Sequence, residues 1–178
     1  TYTDWEIQKF NAAVAKLDIQ IARLLVIHQM LGTRISDTLT LWTDCLFEQK
    51  QVPMIRIRQM KTNTYIKPIS RELEELIKLA IAETKKRYGE TKYIFVREED
   101  PAKPMKYGTL QGKIMAMIQK EQLKDGNGKL FGFNTHMFRH YYGSKITEMD
   151  LDDWTLAKLF GHKSIKSCLL YTSPSPRD

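Results

Sequence analysis

The sequence predicts an α+β fold, mainly α, with one small antiparallel sheet of three strands. Three observations predict it. Apolar residues recur at helical spacing along most of the chain, the period shifts to two only between Cys45 and Ile69, and glycines stand where the helical patterns stop. At 178 residues the chain suits one domain with a buried core.

The elements follow in order. Thr3-Asp4-Trp5-Glu6 has the spacing of a capping box and starts a first helix. A second helix is expected from about Lys16 to Leu31, because Leu17, Ile21, Leu24, Leu25 and Ile27 are dense enough for a buried helix, and Gly32 ends it. Thr33 is then expected to cap a short helix carrying Arg34, Asp37 and Leu41. Met54-Ile-Arg-Ile-Arg58 alternates apolar and basic residues, as a strand does with one side facing solvent or DNA. Lys61-Thr-Asn-Thr64 makes a turn, and Tyr65 to Ile69 returns as the partner strand. Ser70 caps a helix whose inner face reads Leu73, Leu76, Ile77, Ala80 and Ile81. Tyr93 to Val96 reads as a short extended segment. A helix from about Thr109 to Leu123 buries Leu110, Ile114, Met117 and Ile118, and Lys124 to Gly128 is a turn. Further helices are expected from about Thr135 to Thr147, from about Asp153 to Phe160 before Gly161, and from near Ser164 through Tyr171. Trp154 and Leu156 read as core anchors. The tail, residues 172–178, should lack regular structure.

Composition narrows the class of function. No apolar run approaches the length of a membrane span, and no leader pattern opens the chain, so no membrane partner is expected. Cys45 and Cys168 lie far apart, which argues against a disulfide framework or a thiolate metal site and fits a reducing cytoplasm. The net charge of +7 favours a polyanionic partner, of which nucleic acid is the commonest.

The densest chemical signal is His136-Met-Phe-Arg139-His140, then Leu159-Phe-Gly-His162, then Tyr171. On a helix, His136 and Arg139 project from one face. Breaking a DNA phosphodiester without a metal needs fixed cations for the non-bridging oxygens, and the planar fork of arginine supplies them best. It also needs a nucleophile, which a tyrosine phenol can be, and a proton for the leaving oxygen, which lysine or histidine can give. The spacing of His136 and His140 would also suit zinc on a helix. No acidic residue lies between them and no third ligand is obvious, so no metal and no cofactor are expected. His140 and His28 read as structural, and Trp42 as a packing residue before a base-stacking one.

At these residues the chain resembles the catalytic domain of the tyrosine recombinases, the phage integrase family. The family's signature of H-x-x-R, then L-G-H, then Y is matched by His136 to Arg139, Leu159-Phe-Gly-His162 and Tyr171, with Arg139 twenty-three residues before His162 and Tyr171 nine residues after it. Independently, Leu31-Gly-Thr-Arg34-Ile-Ser-Asp37 is similar to the family's G-x-R-[IV]-S-E box, and Lys61 through Pro68-Ile69 to its lysine-bearing hairpin. The resemblance covers nearly the whole chain. It implies the integrase-type helical catalytic domain with its small sheet, over residues 1–171, without the N-terminal core-binding domain. It implies that Arg34 and Arg139 clamp the scissile phosphate of double-stranded DNA, that Lys61 protonates the 5′-oxygen, and that His136 assists proton transfer. His162 would hydrogen-bond the phosphate and Tyr171 would attack it. Arg56, Arg58 and Lys67 are weaker candidates for the DNA backbone. A full-length protein of this kind would act as a homotetramer on DNA, in a bacterial cytoplasm at the nucleoid, for a phage, transposon or other mobile element.

The chain departs from the pattern in three respects, of which the absence of the N-terminal domain is one. Asp37 stands where the family has glutamate, one methylene longer. Tyr171 runs directly into a Ser/Pro tail that resembles translated adapter sequence more than a protein terminus. Two other readings therefore stay open: a non-catalytic DNA-binding remnant, and a type IB topoisomerase-like nickase-ligase.

Overall fold

The computed structural model describes residues 3–59, 63–132, 151 and 153–161. Among them the expected mainly helical α+β architecture is observed, with one three-stranded antiparallel sheet in the order β1-β2-β3.

Helix α1 (Asp4–Ala12) opens with the reciprocal capping box. Thr3 Oγ1 accepts from the Glu6 amide at 3.1 Å, and Glu6 Oε1 accepts from the Thr3 amide at 2.9 Å. The other oxygen, Oε2, accepts from the Gly126 amide at 2.9 Å, so one carboxylate joins the first helix to the turn after α5.

Helix α2 (Ile19–Leu31) is the spine of the core, buried from Gln20 to Leu31. It starts later than expected because Asp18 caps it, accepting from the Gln20 amide at 3.0 Å, while Val14–Lys16 forms a separate 3-10 turn. Gly32 ends it with a left-handed φ of 67°, its amide donating to the His28 carbonyl.

The cap of α3 (Ile35–Leu39) differs from expectation. Arg34, not Thr33, occupies the N-cap position, and no side chain caps the helix. Thr33 lies one residue too early, and its hydroxyl turns inward to Thr38 instead, at 2.7 Å. Leu41 falls beyond the helix but is buried.

The sheet comprises β1 (Leu46–Gln49), β2 (Val52–Ile57) and β3 (Tyr65–Pro68). Leu46 pairs with Ile55 and Gln49 with Val52, while Met54 pairs with Pro68 and Ile57 with Tyr65. The β1–β2 turn is carried by Lys50 and Gln51, both at positive φ (53° and 67°), as a two-residue hairpin of primed type requires. Ile55 and Ile57 point into the core and Arg56 away from it, as the alternation predicts. Met54 is buried as well, so the polar side of β2 begins at Arg56.

Ser70 caps α4 (Arg71–Tyr88), accepting from the Leu73 amide at 3.1 Å. Leu73, Leu76, Ile77 and Ala80 are buried as expected, with Ile81 half-buried beside them. Helix α4 packs along α2, fastened by Gln20 Nε2 to the Ala80 carbonyl at 2.9 Å and by Arg87 to Asp18 at 3.1 Å. Burial pushes the Asp18 carboxyl up, but the hydrogen bonds from Arg87 and the Gln20 amide outweigh it and hold it below its ordinary range. The Tyr93–Val96 segment is extended and, among the described residues, forms only the isolated bridges Trp42–Tyr93 and Val96–Pro104. Helix α5 (Tyr107–Glu121) begins two residues before its expected start and buries Leu110, Ile114, Met117 and Ile118.

Helix α6 (Asp153–Leu159) leads to Gly161 at a φ of 69°. Leu156 is a core residue, but Trp154 is 67% exposed and is not an anchor. The buried residues of α6 are Thr155, Leu156, Ala157 and Leu159, and Trp154 lies outside that set, at the exposed start of the helix. The helices expected from Thr135 and from Ser164, the first two residues of the Lys61–Thr64 turn, and the tail fall outside the described residues. No described helix is long and apolar enough to cross a membrane.

Candidate functional site

The joint between α2 and α3 presents Arg34. Its carbonyl accepts from the amides of Asp37 (3.0 Å) and Thr38 (3.2 Å), which closes the first turn of α3. Its side chain is exposed, and among the described residues the guanidinium makes no hydrogen bond or ion pair. An exposed cation without a partner among the described residues, at an N-cap position it does not cap, adds little to local stability.

Two links hold the sheet against this joint. Lys67 Nζ on β3 donates to the Leu31 carbonyl at 2.9 Å, meeting one of the acceptors left open at the end of α2. Gln59 Nε2, just past β2, donates to Asp37 Oδ2 at 3.3 Å, and Asp37 is 7% exposed. Asp37 therefore supports the joint from inside, reaching the strand whose sequence continues to Lys61.

Two further cations follow, Arg56 on the outer face of β2 and Arg58 just past its end. Arg56 lies over the Phe47 ring at 4.7 Å. Arg58 lies over the Trp42 ring at 3.8 Å and pairs with Asp44 at 2.9 Å, and Lys92 reaches the same indole at 4.4 Å. Trp42 thus serves as a platform for two cations rather than as a buried packing residue.

Lys67 thus holds the sheet to the joint that carries Arg34, whereas Arg56, opposite Ile66 and one residue out of step with the Ile55–Lys67 pair, lies on the other face of the sheet, and Arg58 is tied to Trp42 and Asp44. Lys61, His136, Arg139, His162 and Tyr171 lie outside the described residues. His28 has the structural role expected of it, 1% exposed with Nδ1 at 2.8 Å from Thr38 Oγ1.

Sequence reasoning missed two cations that fix α6. Arg23 is 6% exposed on α2, and its Nε donates to the Leu159 carbonyl at 2.8 Å. Burial lowers the Arg23 pKa from its ordinary value, but an arginine starts so high that it stays charged. Lys158 Nζ donates to the carbonyls of Ala15 and Leu17. Both set the end of the helix that precedes His162 in sequence. A lone arginine inside an otherwise apolar stretch, Ile21 to Ile27, was the available signal.

Comparison with known proteins bears on the same region. The model of the phage integrase family matches residues 2–177. Transposase B from transposon Tn554 of Staphylococcus aureus (strain Mu50 / ATCC 700699) is 28% identical over 163 residues, covering 90% of this chain and 26% of the transposase. Its counterpart from transposon PsiTn554 of Staphylococcus aureus is also 28% identical over 163 residues, with the same coverage. The chain thus spans about a quarter of the length of the curated relatives it matches. Among solved structures, the XerH site-specific recombinase bound to difH substrate in a pre-cleavage complex superposes with a TM-score of 0.57 at 16% identity, over 94% of this chain and 48% of that one. XerA recombinase superposes with a TM-score of 0.57 at 17% identity, over 99% of this chain and 61% of that one. At such identities the likeness is one of fold.

Proposed function

We propose that this chain, which belongs to the phage integrase family, is the strand-cleaving and strand-joining domain of a site-specific DNA recombinase of a transposon or phage. The single observation that carries the reading is Arg34: an exposed guanidinium, free among the described residues, on a backbone joint held from three sides. Its place in the ordered pattern with Lys61, His136, Arg139, His162 and Tyr171 supports the same assignment.

In this reading Arg34 and Arg139 hold the non-bridging oxygens of the scissile phosphate, where charge grows in the transition state. The Tyr171 phenol oxygen attacks phosphorus in line, and the bond from phosphorus to the 5′-oxygen breaks. Lys61 gives that leaving oxygen its proton, His136 assists proton transfer, and His162 hydrogen-bonds the phosphate. The product is a 3′-phosphotyrosyl ester and a free 5′-hydroxyl. Attack by another strand's 5′-hydroxyl reverses the step and completes the exchange. Neither a metal nor an organic cofactor enters this scheme. Arg56 and Arg58 contribute contacts to the DNA backbone, and Lys67 supports Arg34 from beneath. The whole protein assembles as four protomers on two duplexes, in the bacterial cytoplasm at the nucleoid.

A duplex nicked beside its cleavage site tests the proposal, because the short fragment diffuses away and traps the covalent product. The expected result is a chain-linked 3′-phosphate, formed equally with and without EDTA. A folded chain that shifts the duplex without forming the bond would be a DNA-binding remnant. Relaxation of supercoiled plasmid by a monomer would favour a topoisomerase-like enzyme instead.

A further inference from the structure

The joint that presents Arg34 is held by a buried polar chain outside the motif residues. His28 Nδ1 lies 2.8 Å from Thr38 Oγ1, and Thr38 Oγ1 lies 2.7 Å from Thr33 Oγ1. All three side chains are buried, at 1%, 0% and 6% exposure, so each contact stands in place of water. The Thr38 hydroxyl has one proton. It can donate to one neighbour while accepting from the other, so both contacts can be met at once, in either direction along the chain.

Thr38 is the hub of this arrangement. Its amide donates to the Arg34 carbonyl at 3.2 Å, while its hydroxyl holds Thr33 directly before Arg34 and His28 on the last full turn of α2. One residue thus grips both sides of the peptide that carries the arginine. The need is evident from the cap. Arginine lacks an acceptor for the first amides of α3, so the N-cap hydrogen bond that would ordinarily fix this joint is absent.

We infer that Thr38, through its hydrogen bonds to His28 and Thr33, is a positioning residue that fixes the backbone from which Arg34 reaches the phosphate; this rests on the reading of Arg34 as a phosphate ligand. A displacement of about 1 Å at such a group costs on the order of 10²-fold in rate. The chain therefore acts on the chemical step rather than on DNA affinity.

Thr38→Val removes the hydroxyl and keeps the shape, and Thr38→Ser keeps the hydroxyl. Two measurements on the full chain separate the possibilities. In the first, Thr38→Val slows adduct formation at saturating nicked duplex by ~10-fold or more while leaving affinity for that duplex unchanged, and Thr38→Ser recovers the rate. In an Arg34→Ala background the same Thr38→Val change has no further effect. Equal slowing in both backgrounds, or failure of serine to recover the rate, overturns the inference. In the second, amide hydrogen exchange at Asp37 and Thr38, which both donate to the Arg34 carbonyl, speeds up by ~10-fold or more in Thr38→Val and returns in Thr38→Ser. Unchanged exchange overturns the inference whether or not the chain cleaves. Faster exchange in Thr38→Val, where the parent chain forms no adduct, counts against the strand-cleavage reading and leaves the positioning of Arg34 supported.

Discussion

Gln59 Nε2 donates a hydrogen bond to Asp37 Oδ2 across 3.3 Å, joining the helix that follows Arg34 to the end of the strand that precedes Lys61 in sequence. Asp37 is buried, so loss of its carboxylate removes the acceptor where water cannot readily replace it. Asp37→Ala is expected to cost about 1–3 kcal/mol in urea unfolding. A double-mutant cycle with Gln59→Ala should show a coupling of about 0.5 kcal/mol or more. Additive losses would mean that the two residues act separately.

Arg34→Ala should leave stability within about 0.5 kcal/mol of the parent, because the side chain is exposed and pairs with no described residue. Cleavage of a nicked duplex should nevertheless fall by ~10²-fold or more, as on removal of a transition-state donor, and Arg139→Ala should do the same. Arg34→Lys should recover little, since an ammonium cannot reproduce the planar fork. Cleavage at the parental rate in Arg34→Ala would remove it from the site.

The hairpin cations should separate by salt dependence. A lysine or arginine that neutralises one phosphate contributes about 0.9 to the slope of log K against log salt. Arg56→Gln should lower the slope by about that amount, and Arg58→Gln by less, because Asp44 already partners Arg58. Lys67→Gln should leave the slope unchanged and lower thermal stability, because its ammonium is used on the Leu31 carbonyl. Fluorescence anisotropy of a labelled duplex across a salt series, with melting curves alongside, distinguishes the three.

Glu6 gives the fold an acid sensitivity. Hydrogen bonds from the Thr3 and Gly126 amides favour its charged form and hold its pKa below the ordinary 4.5. A carboxylate depressed in the folded state stabilises the fold fully above its unfolded pKa, and that stabilisation is lost as pH falls through the folded value. Glu6→Gln should therefore destabilise the chain at pH 7 and flatten the fall in stability below pH 4.5. Parallel pH–stability curves for parent and variant would show that Glu6 does not carry this dependence.

The sequence disclosed those parts of the fold that are local. Ser70, Gly32 and the Thr3–Glu6 box act on neighbouring amides, so their residue types alone announce the helix ends. Thr33 shows the limit, because a hydroxyl before a helix suits a cap until Thr38, five residues on, offers a buried partner. The bounds of strand β1 are not legible for a related reason: its turn is Lys50-Gln51, and nothing in those side chains announces two positive φ angles. Trp154 is exposed where its bulk and apolarity predict a core anchor, because neither property says which side of a short helix meets the core. Of the candidate site, Arg34 and the hairpin cations were legible from pattern and charge. The roles of Gln59, Thr38 and Arg23 were not, because each depends on a partner brought near only by folding.

The central claim, a phosphotyrosyl intermediate at the phosphate held by Arg34, is tested most directly by locating the covalent bond. The chain is incubated with a nicked duplex, the adduct is isolated under denaturing conditions, and its proteolytic peptides are sequenced by mass spectrometry. The account predicts a 3′-phosphonucleotide on Tyr171 and none in Tyr171→Phe. An adduct on another residue, or no adduct from a folded chain that binds the duplex, would contradict it.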